Sequence, residues 1–340
     1  MLLIEIDGSE GEGGGQLLRC SVALSALTGR EVRVFNIRAK RPKAGLAHQH
    51  LAAVRGVAAL CEARVKGDSI GSRELVFSPG AIIGGRRRFD VGSAGSVSLV
   101  LQACILPALR SEKNTVLEIT GGTNVRWSPP VDYYINVLFP ILKKMGVEIH
   151  MRIDARGFYP EGGGKVTVEV EPAKELAPID LSARGELKRL RGICFSQNLP
   201  EHVSKRISHS AKKSFLDEGE MHIKSDVSNG GSTGAGICLF AEYENTILGA
   251  DALGERGVPS EKVGTAAAEA LKKETSGAGT LDIHSSDQLI TFLALTRSGS
   301  VFRIREMSEH LKTQMWLIPR FLDVGFEVKT IPGGFEIVVP

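Results

Sequence analysis

Apolar and acidic residues alternate over Leu2–Asp7, which predicts a strand; after a glycine-rich turn the pattern changes to a helical period over Gln16–Leu27, stopped by Gly29. A strand over Glu31–Arg38, a helix over about Leu46–Cys61 and short strands near Ala63–Lys66 and Glu74–Phe77 complete the order βαβαββ. The order recurs with a strand at Arg88–Val91, helices at Val97–Leu109 and Pro130–Met145, and strands at Thr115–Thr120, Val147–Ile153 and Lys165–Val170. A third run starts at Thr280: strand Thr280–Ile283, helix Asp287–Thr296, strand Val301–Arg305, an amphipathic helix Leu311–Val324 ended by Gly325, and strands Glu327–Ile331 and Phe335–Val339. Each copy carries helices that must bury one face against a sheet. The expected fold class is therefore α/β, of the α+β kind, built from three βαβαββ units.

Residues 183–279 break the series. They read as strand Arg191–Ser196, helix Glu201–Leu216, strands Met221–Asp226, Gly236–Glu242 and Thr246–Ala250, and helix Ser260–Lys273. The expected organisation is a three-unit body, 1–182 with 280–340, and a smaller inserted βαββα domain, 183–279, between linker-like flanks.

Composition narrows the class. With 42% apolar and 24% charged residues among 340, the chain has the balance of a water-soluble globular protein. No apolar run reaches the roughly 18 residues of a membrane helix, so no membrane association is expected. Aromatic content is 6%, which argues against aromatic stacking as the main binding device. The net charge of +3 says little, but six bases crowd Arg30–Lys43 against Glu31 alone, a local strip suited to phosphate or a polyanion. The segment 183–279 has 13 bases and 13 acids, and no polyanion face. Five scattered cysteines without a CxxC pair, and no signal peptide, predict buried reduced thiols and a cytoplasmic location.

Several stretches carry candidate chemistry. Gly11-Glu12-Gly13-Gly14-Gly15-Gln16 joins a strand to a helix, where glycines let backbone N–H groups approach an anion. It lacks the Gly-Lys-Ser/Thr of a Walker loop and the acidic partner of a dinucleotide fingerprint. Glu12 is a carboxylate suited to a hard cation, and Arg19 lies one turn into the helix. Arg38, Arg41 and Lys43 precede a first turn holding His48, Gln49 and His50; three adjacent residues cannot share one helical face, so a metal site there is not expected. Gln102 places an amide in an apolar helix and needs a partner. Pro160–Gly164 reads as a hairpin turn. His284-Ser285-Ser286-Asp287-Gln288 occupies the strand–helix junction of the third copy, with Asp287 as the expected N-cap. Ser308 reads as the N-cap of the helix whose first turn holds His310. There the dipole favours an anion, and a neutral imidazole can act as a nucleophile.

These stretches together resemble the RNA 3′-terminal phosphate cyclase family. The resemblance rests on Asp7–Gln16 with Leu18-Arg19, Ile37–Leu51, Gly92–Ser96 with Leu99–Gln102, Phe158–Gly164, Asp287-Gln288-Leu289 and the His310 stretch. It implies units like the C-terminal domain of a translation initiation factor. It also implies ATP-dependent conversion of an RNA 3′-phosphate to a 2′,3′-cyclic phosphate through a histidinyl-AMP and an RNA-adenylate. By motif position His310 would be the nucleophile, and Glu12 would face a divalent metal, Mg²⁺ or Mn²⁺. Gln102, His284, Ser285, Ser286, Asp287 and Gln288 would contact ATP; Arg19, Arg38 and Gln49 would face phosphates. The implied partners are ATP and an RNA ending in a 3′-phosphate, with no stable protein partner. Two positions depart from the family: Gln314 stands where Asn is usual, and His284 where Tyr is frequent. A non-catalytic ribosome-biogenesis or RNA-binding relative and an enolpyruvyl transferase remain alternatives. The first would lack the nucleophile, and the second would need more repeats.

Overall fold

The computed structural model describes residues 3–296 and 299–340; Leu2, expected to open the first strand, lies outside them. The chain starts with β1 (Ile4–Asp7), α1 (Gly15–Thr28), β2 (Val32–Phe35), α2 (His48–Leu60), β3 (Arg64–Lys66) and β4 (Leu75–Ser78). The next elements are β5 (Gly85–Asp90), α3 (Val97–Ala108), β6 (Thr115–Gly121), α4 (Val131–Tyr133) leading through a π turn into α5 (Phe139–Lys144), β7 (Ile149–Ala155) and β8 (Gly164–Val170). A two-residue strand, β9 (Asp180–Leu181), precedes β10 (Leu187–Gln197), α6 (Glu201–Ser214), β11 (Met221–Ser228), β12 (Gly234–Tyr243), β13 (Ile247–Leu253) and α7 (Ser260–Ser276). The chain closes with α8 (Ile283–Leu293), β14 (Ser300–Ile304), α9 (Glu309–Leu317), β15 (Glu327–Ile331) and β16 (Gly334–Val339).

These strands make four four-stranded mixed sheets, an α+β architecture. The orders β1-β2-β4-β3, β5-β6-β8-β7 and β9-β14-β16-β15 are the same order three times. In each, the first pair is parallel and the other two antiparallel. The fourth sheet, β11-β10-β12-β13, packs α6 and α7 on one face around Ile207, Phe215, Leu239 and Leu271. Its Phe195, Cys238 and Phe240 join the large apolar core that runs through the other three sheets.

The structure corrects the reading of Thr280–Ile283 as a strand. Asp282 is fully buried there, and its carboxylate accepts hydrogen bonds from Tyr133 Oη (2.6 Å), Gly249 N (2.8 Å) and the amides of His284 and Ser285. Those bonds make Asp282 the N-cap of α8, in place of Asp287. The sheet position falls to β9, whose Asp180 and Leu181 pair in parallel with Val301 and Phe302. The fourth sheet therefore enters the chain between β9 and α8. Its neck is tied by Arg184, whose guanidinium donates to the carbonyls of Glu274, Thr275, Gly277 and Gly279, and by Asn245 Nδ2, which donates to Ala183 O (3.1 Å). A second correction concerns Leu311–Val324. The α-helix ends at Leu317 and tightens to a 3₁₀ turn at Ile318–Arg320, where Pro319 has no N–H to continue it.

All five cysteines are buried and free. Among the described residues no helix is long and apolar enough to cross a membrane.

Candidate functional site

A cleft of about 570 Å³ opens where five helices begin. Its walls hold Gly15 and Gln16 from the start of α1, Gln49 and His50 from α2, Leu99 from α3, His284 from α8 and His310 from α9. A helix start carries the positive end of its dipole, and side-chain caps already satisfy part of the first-turn amides: Asp282 in α8, Ser308 in α9 and Ser96 in α3. Arg19, Arg38 and Arg41 add three cations. The outer face of the second sheet carries another depression, but there Glu118 already pairs with Arg86, Arg88 and Lys165.

Local chemistry fixes each side chain. Ser308 caps α9 by accepting the Leu311 amide (2.9 Å) and donates its hydroxyl to Asp287 Oδ1, so one serine ties the His310 helix to α8. Gln314 adds a second tie: its Nε2 donates to Asp287 O (2.7 Å) and its Oε1 accepts from Thr291 Oγ1 (2.9 Å), fully buried. The amide that departs from the family pattern thus touches the helix packing rather than the imidazole. The glycine loop lies against α9. Gly11 has φ +54°, and a Cβ there would fall 2.1 Å from Thr313 Oγ1. A Cβ at Gly15 would fall 1.9 Å from His50 Nε2, so this approach of α1 to α2 requires glycine.

His310 Nδ1 faces Glu12 Oε2, while Glu12 Oε1 is paired with Arg41. The His310 side chain is 45% exposed, and Glu12 is more enclosed. Burial, then the charges of Arg19, Arg41 and His284, pull the imidazole pKa down to about 4, so it is neutral at physiological pH. His50 is pulled down further, to about 3, chiefly by burial, but its Nδ1 accepts the Ala47 amide and Gly15 covers its Nε2. His310 is thus the neutral imidazole with an open face.

Arg19 is buried, and its guanidinium meets only the side-chain oxygen of Gln102, at 3.2 and 3.3 Å. Among the described residues no carboxylate pairs with it. Desolvation pulls its pKa down, the signature of a cation held without a counter-charge. Nearby, Gln16 Oε1 is buried without a partner. Arg38 Nη1 donates to Gly45 O (2.8 Å), and Gln49 Oε1 accepts the Ser96 amide (3.3 Å).

Not every expected residue reaches the cleft. Gln102, His284, Asp287 and Gln288 line it. Ser285 and Ser286 do not; their hydroxyls return to Asp282 O and Ile283 O inside α8. His284 packs edge-on to Tyr133, ring centroids 6.0 Å apart. Gln288 Oε1 accepts from Tyr134 Oη (3.2 Å). Burial raises the Asp287 carboxyl to about 7, against the Ser308 hydrogen bond. Sequence reasoning missed Asp251 and Trp127, and gave Gln16 no role of its own within the glycine stretch. Asp251 arrives from β13 of the fourth sheet, and burial raises it to about 6. Nothing local in the sequence marks it.

Fold and cleft together define an α+β protein whose site concentrates cations and helix N-termini around a neutral histidine with an open face, an arrangement suited to phosphoryl groups. A family model for RNA 3′-terminal phosphate cyclase matches residues 10–328, and the chain belongs to this family. It is 46% identical over 327 residues to the RNA 3′-terminal phosphate cyclase of Nitrosospira multiformis, covering 95% of this chain and 93% of that one. The Methanopyrus kandleri relative of the same name is 45% identical over 343 residues (98% and 97% covered). That of Pyrococcus furiosus is 45% identical over 329 (96% and 95% covered). Among solved structures, the enolpyruvyl transferase NikO from Streptomyces tendae aligns over 99% of this chain and 81% of its own. At 9% identity and a TM-score of 0.28, that likeness carries no weight.

Proposed function

We propose that the protein is an ATP-dependent cytoplasmic ligase that converts the 3′-terminal phosphate of RNA to a 2′,3′-cyclic phosphate. We assign the chemistry to a body of 1–182 with 280–340, assisted by 183–279 through Asp251. The observation that carries the reading is a half-exposed neutral His310 beside a buried Arg19 that lacks a carboxylate partner. Such a cation is costly unless an anion enters.

The 3′-phosphate is a poor electrophile because its oxyanion leaves badly. ATP supplies a better leaving group. His310 Nδ1 faces Glu12 Oε2, and we assign the imidazole proton to that nitrogen, which leaves the Nε2 lone pair free. Nε2 attacks the α-phosphorus; an N–P bond forms and the bond to pyrophosphate breaks. Glu12 stabilises the Nδ1–H as the ring gains positive charge. A 3′-phosphate oxygen then displaces His310 from the AMP phosphorus. Finally the 2′-hydroxyl attacks the RNA phosphorus, AMP leaves, and the hydroxyl proton passes to solvent. Arg19, Arg38 and Arg41 offset charge on the transferring groups. Gln102, His284, Asp287 and Gln288 line the space for ATP, and Gln49 holds the Ser96 loop. Ser285 and Ser286 support α8 from behind.

Among the described residues no group of three or more His, Cys, Asp or Glu side chains forms a cation site. One carboxylate, Glu12, fits a Mg²⁺ or Mn²⁺ that arrives on phosphates and keeps waters, rather than a resident ion. When bound, such an ion withdraws charge from phosphoryl oxygens.

The test is RNA with a labelled 3′-phosphate: it becomes phosphatase-resistant with ATP and stays sensitive without it. Resistance that needs no ATP, or none at all, rejects the reading. A pH profile tests the nucleophile's state. With the His310 pKa pulled to about 4, the nucleophilic form is complete above that pH. Because Asp251 and Asp287 in the same cleft titrate at about 6 and about 7, the readout is the His310 imidazole itself, followed by NMR: its titration should fall at about pH 4. A midpoint near 6.5, the ordinary histidine value, would show that the cleft does not hold the imidazole neutral.

A further inference from the structure

Trp127 is 94% exposed, yet it lines the cleft rim. Its φ is +66°, in the left-handed region that costs a side-chain-bearing residue steric energy. Neither apolar core includes it, and no ring or cation stacks on it among the described residues. The other tryptophan, Trp316, differs: the Arg320 guanidinium covers its ring at 3.4 Å. The loop around Trp127 is pinned on both sides. Arg126 is ion-paired to Glu255 (2.5 Å), Ser128 Oγ donates to Val125 O (3.2 Å), and Pro129 O accepts from Ser98 Oγ (2.7 Å). A strained backbone therefore holds a bare indole in place, and folding gains nothing from it.

Resting on the cyclase reading, we propose that Trp127 is the stacking platform for the terminal nucleobase of the RNA. A flat apolar face fits any base without reading its sequence. Two nucleobases take part in the reaction; of the four aromatic ring side chains lining the cleft among the described residues, His50 is covered by Gly15 and His310 is the nucleophile, which leaves His284 and Trp127. His284 is set against Tyr133 and belongs with the α8 residues beside the ATP space. Trp127 stands at the rim, where an RNA must leave the cleft for solvent.

The experiment compares wild type, Trp127→Ala and Trp127→Phe on 3′-phosphorylated oligonucleotides whose last nucleotide carries a base or is abasic. For the base-bearing RNA, Trp127→Ala should lower kcat/KM about tenfold, mainly through KM, and Trp127→Phe should restore most of it. On the abasic RNA the three proteins should be alike. Self-labelling by ATP alone should not change. Without ATP, base-bearing RNA should quench tryptophan fluorescence in wild type and not in Trp127→Ala. An equal loss on both RNAs would make the role structural, and loss of self-labelling would give the platform to ATP's base; either overturns the assignment. Failure of the cyclase reading shows separately, as absence of cyclic product from wild type, because the fluorescence readout needs no turnover.

Discussion

His310→Ala and His310→Asn should abolish covalent self-labelling by α-labelled ATP, with a fall of at least about 10³-fold, the result expected if the proposed nucleophile is removed. The label on the wild-type protein should be acid-labile, as a phosphorus–nitrogen bond is. The side chain is half exposed at a helix start, so its loss leaves folding nearly untouched and the effect reads as chemistry. Labels that persist in both variants sink the assignment, because His50, the other low-pKa imidazole, is covered by the glycine loop.

Arg19→Leu separates stability from function. Replacing buried ionic groups by well-packed apolar side chains is often neutral or stabilising, by up to about 4 kcal/mol for whole pairs or triads. Arg19 has only the Gln102 amide, so the variant should resist denaturant better than wild type. Self-labelling should meanwhile fall about 10²-fold, the usual cost of one charge-stabilising donor. Arg19→Lys, which keeps charge without the two-nitrogen contact to Gln102, should lie between. Equilibrium denaturation and single-turnover labelling check both halves. A less stable Arg19→Leu that labels normally would make Arg19 a structural residue.

Sequence periodicity reached the elements that bury a regular face. Helix α1 stops at Gly29, in the left-handed conformation, and α3 starts at Ser96, which caps it. It failed where a tertiary partner overrides local pattern. Thr280–Ile283 alternates like a strand, but Asp282 is claimed by Tyr133 and by Gly249 of the fourth sheet. Strand β9 is two residues long and leaves no period to read. The site divides the same way. Glu12, Arg19, Gln102 and His310 stand out because a charged or polar residue interrupts a glycine loop, an apolar helix or a helix start. Asp251 becomes a cleft residue only through the packing of another sheet. A low total of aromatic residues says nothing about where one of them stands, and it concealed Trp127.

The neck at Arg184 bears on how the sheet joined to α9 closes. Asp180 and Val301 pair although they lie about 120 positions apart, and closing a flexible loop of that length costs about 4 kcal/mol of chain entropy. With the fourth sheet folded and Arg184 bonded to four carbonyls in the last turn of α7 and the loop after it, the two ends are already side by side. The intervening hundred residues then act as a clasp: their own folding removes most of the search that the third sheet would otherwise make.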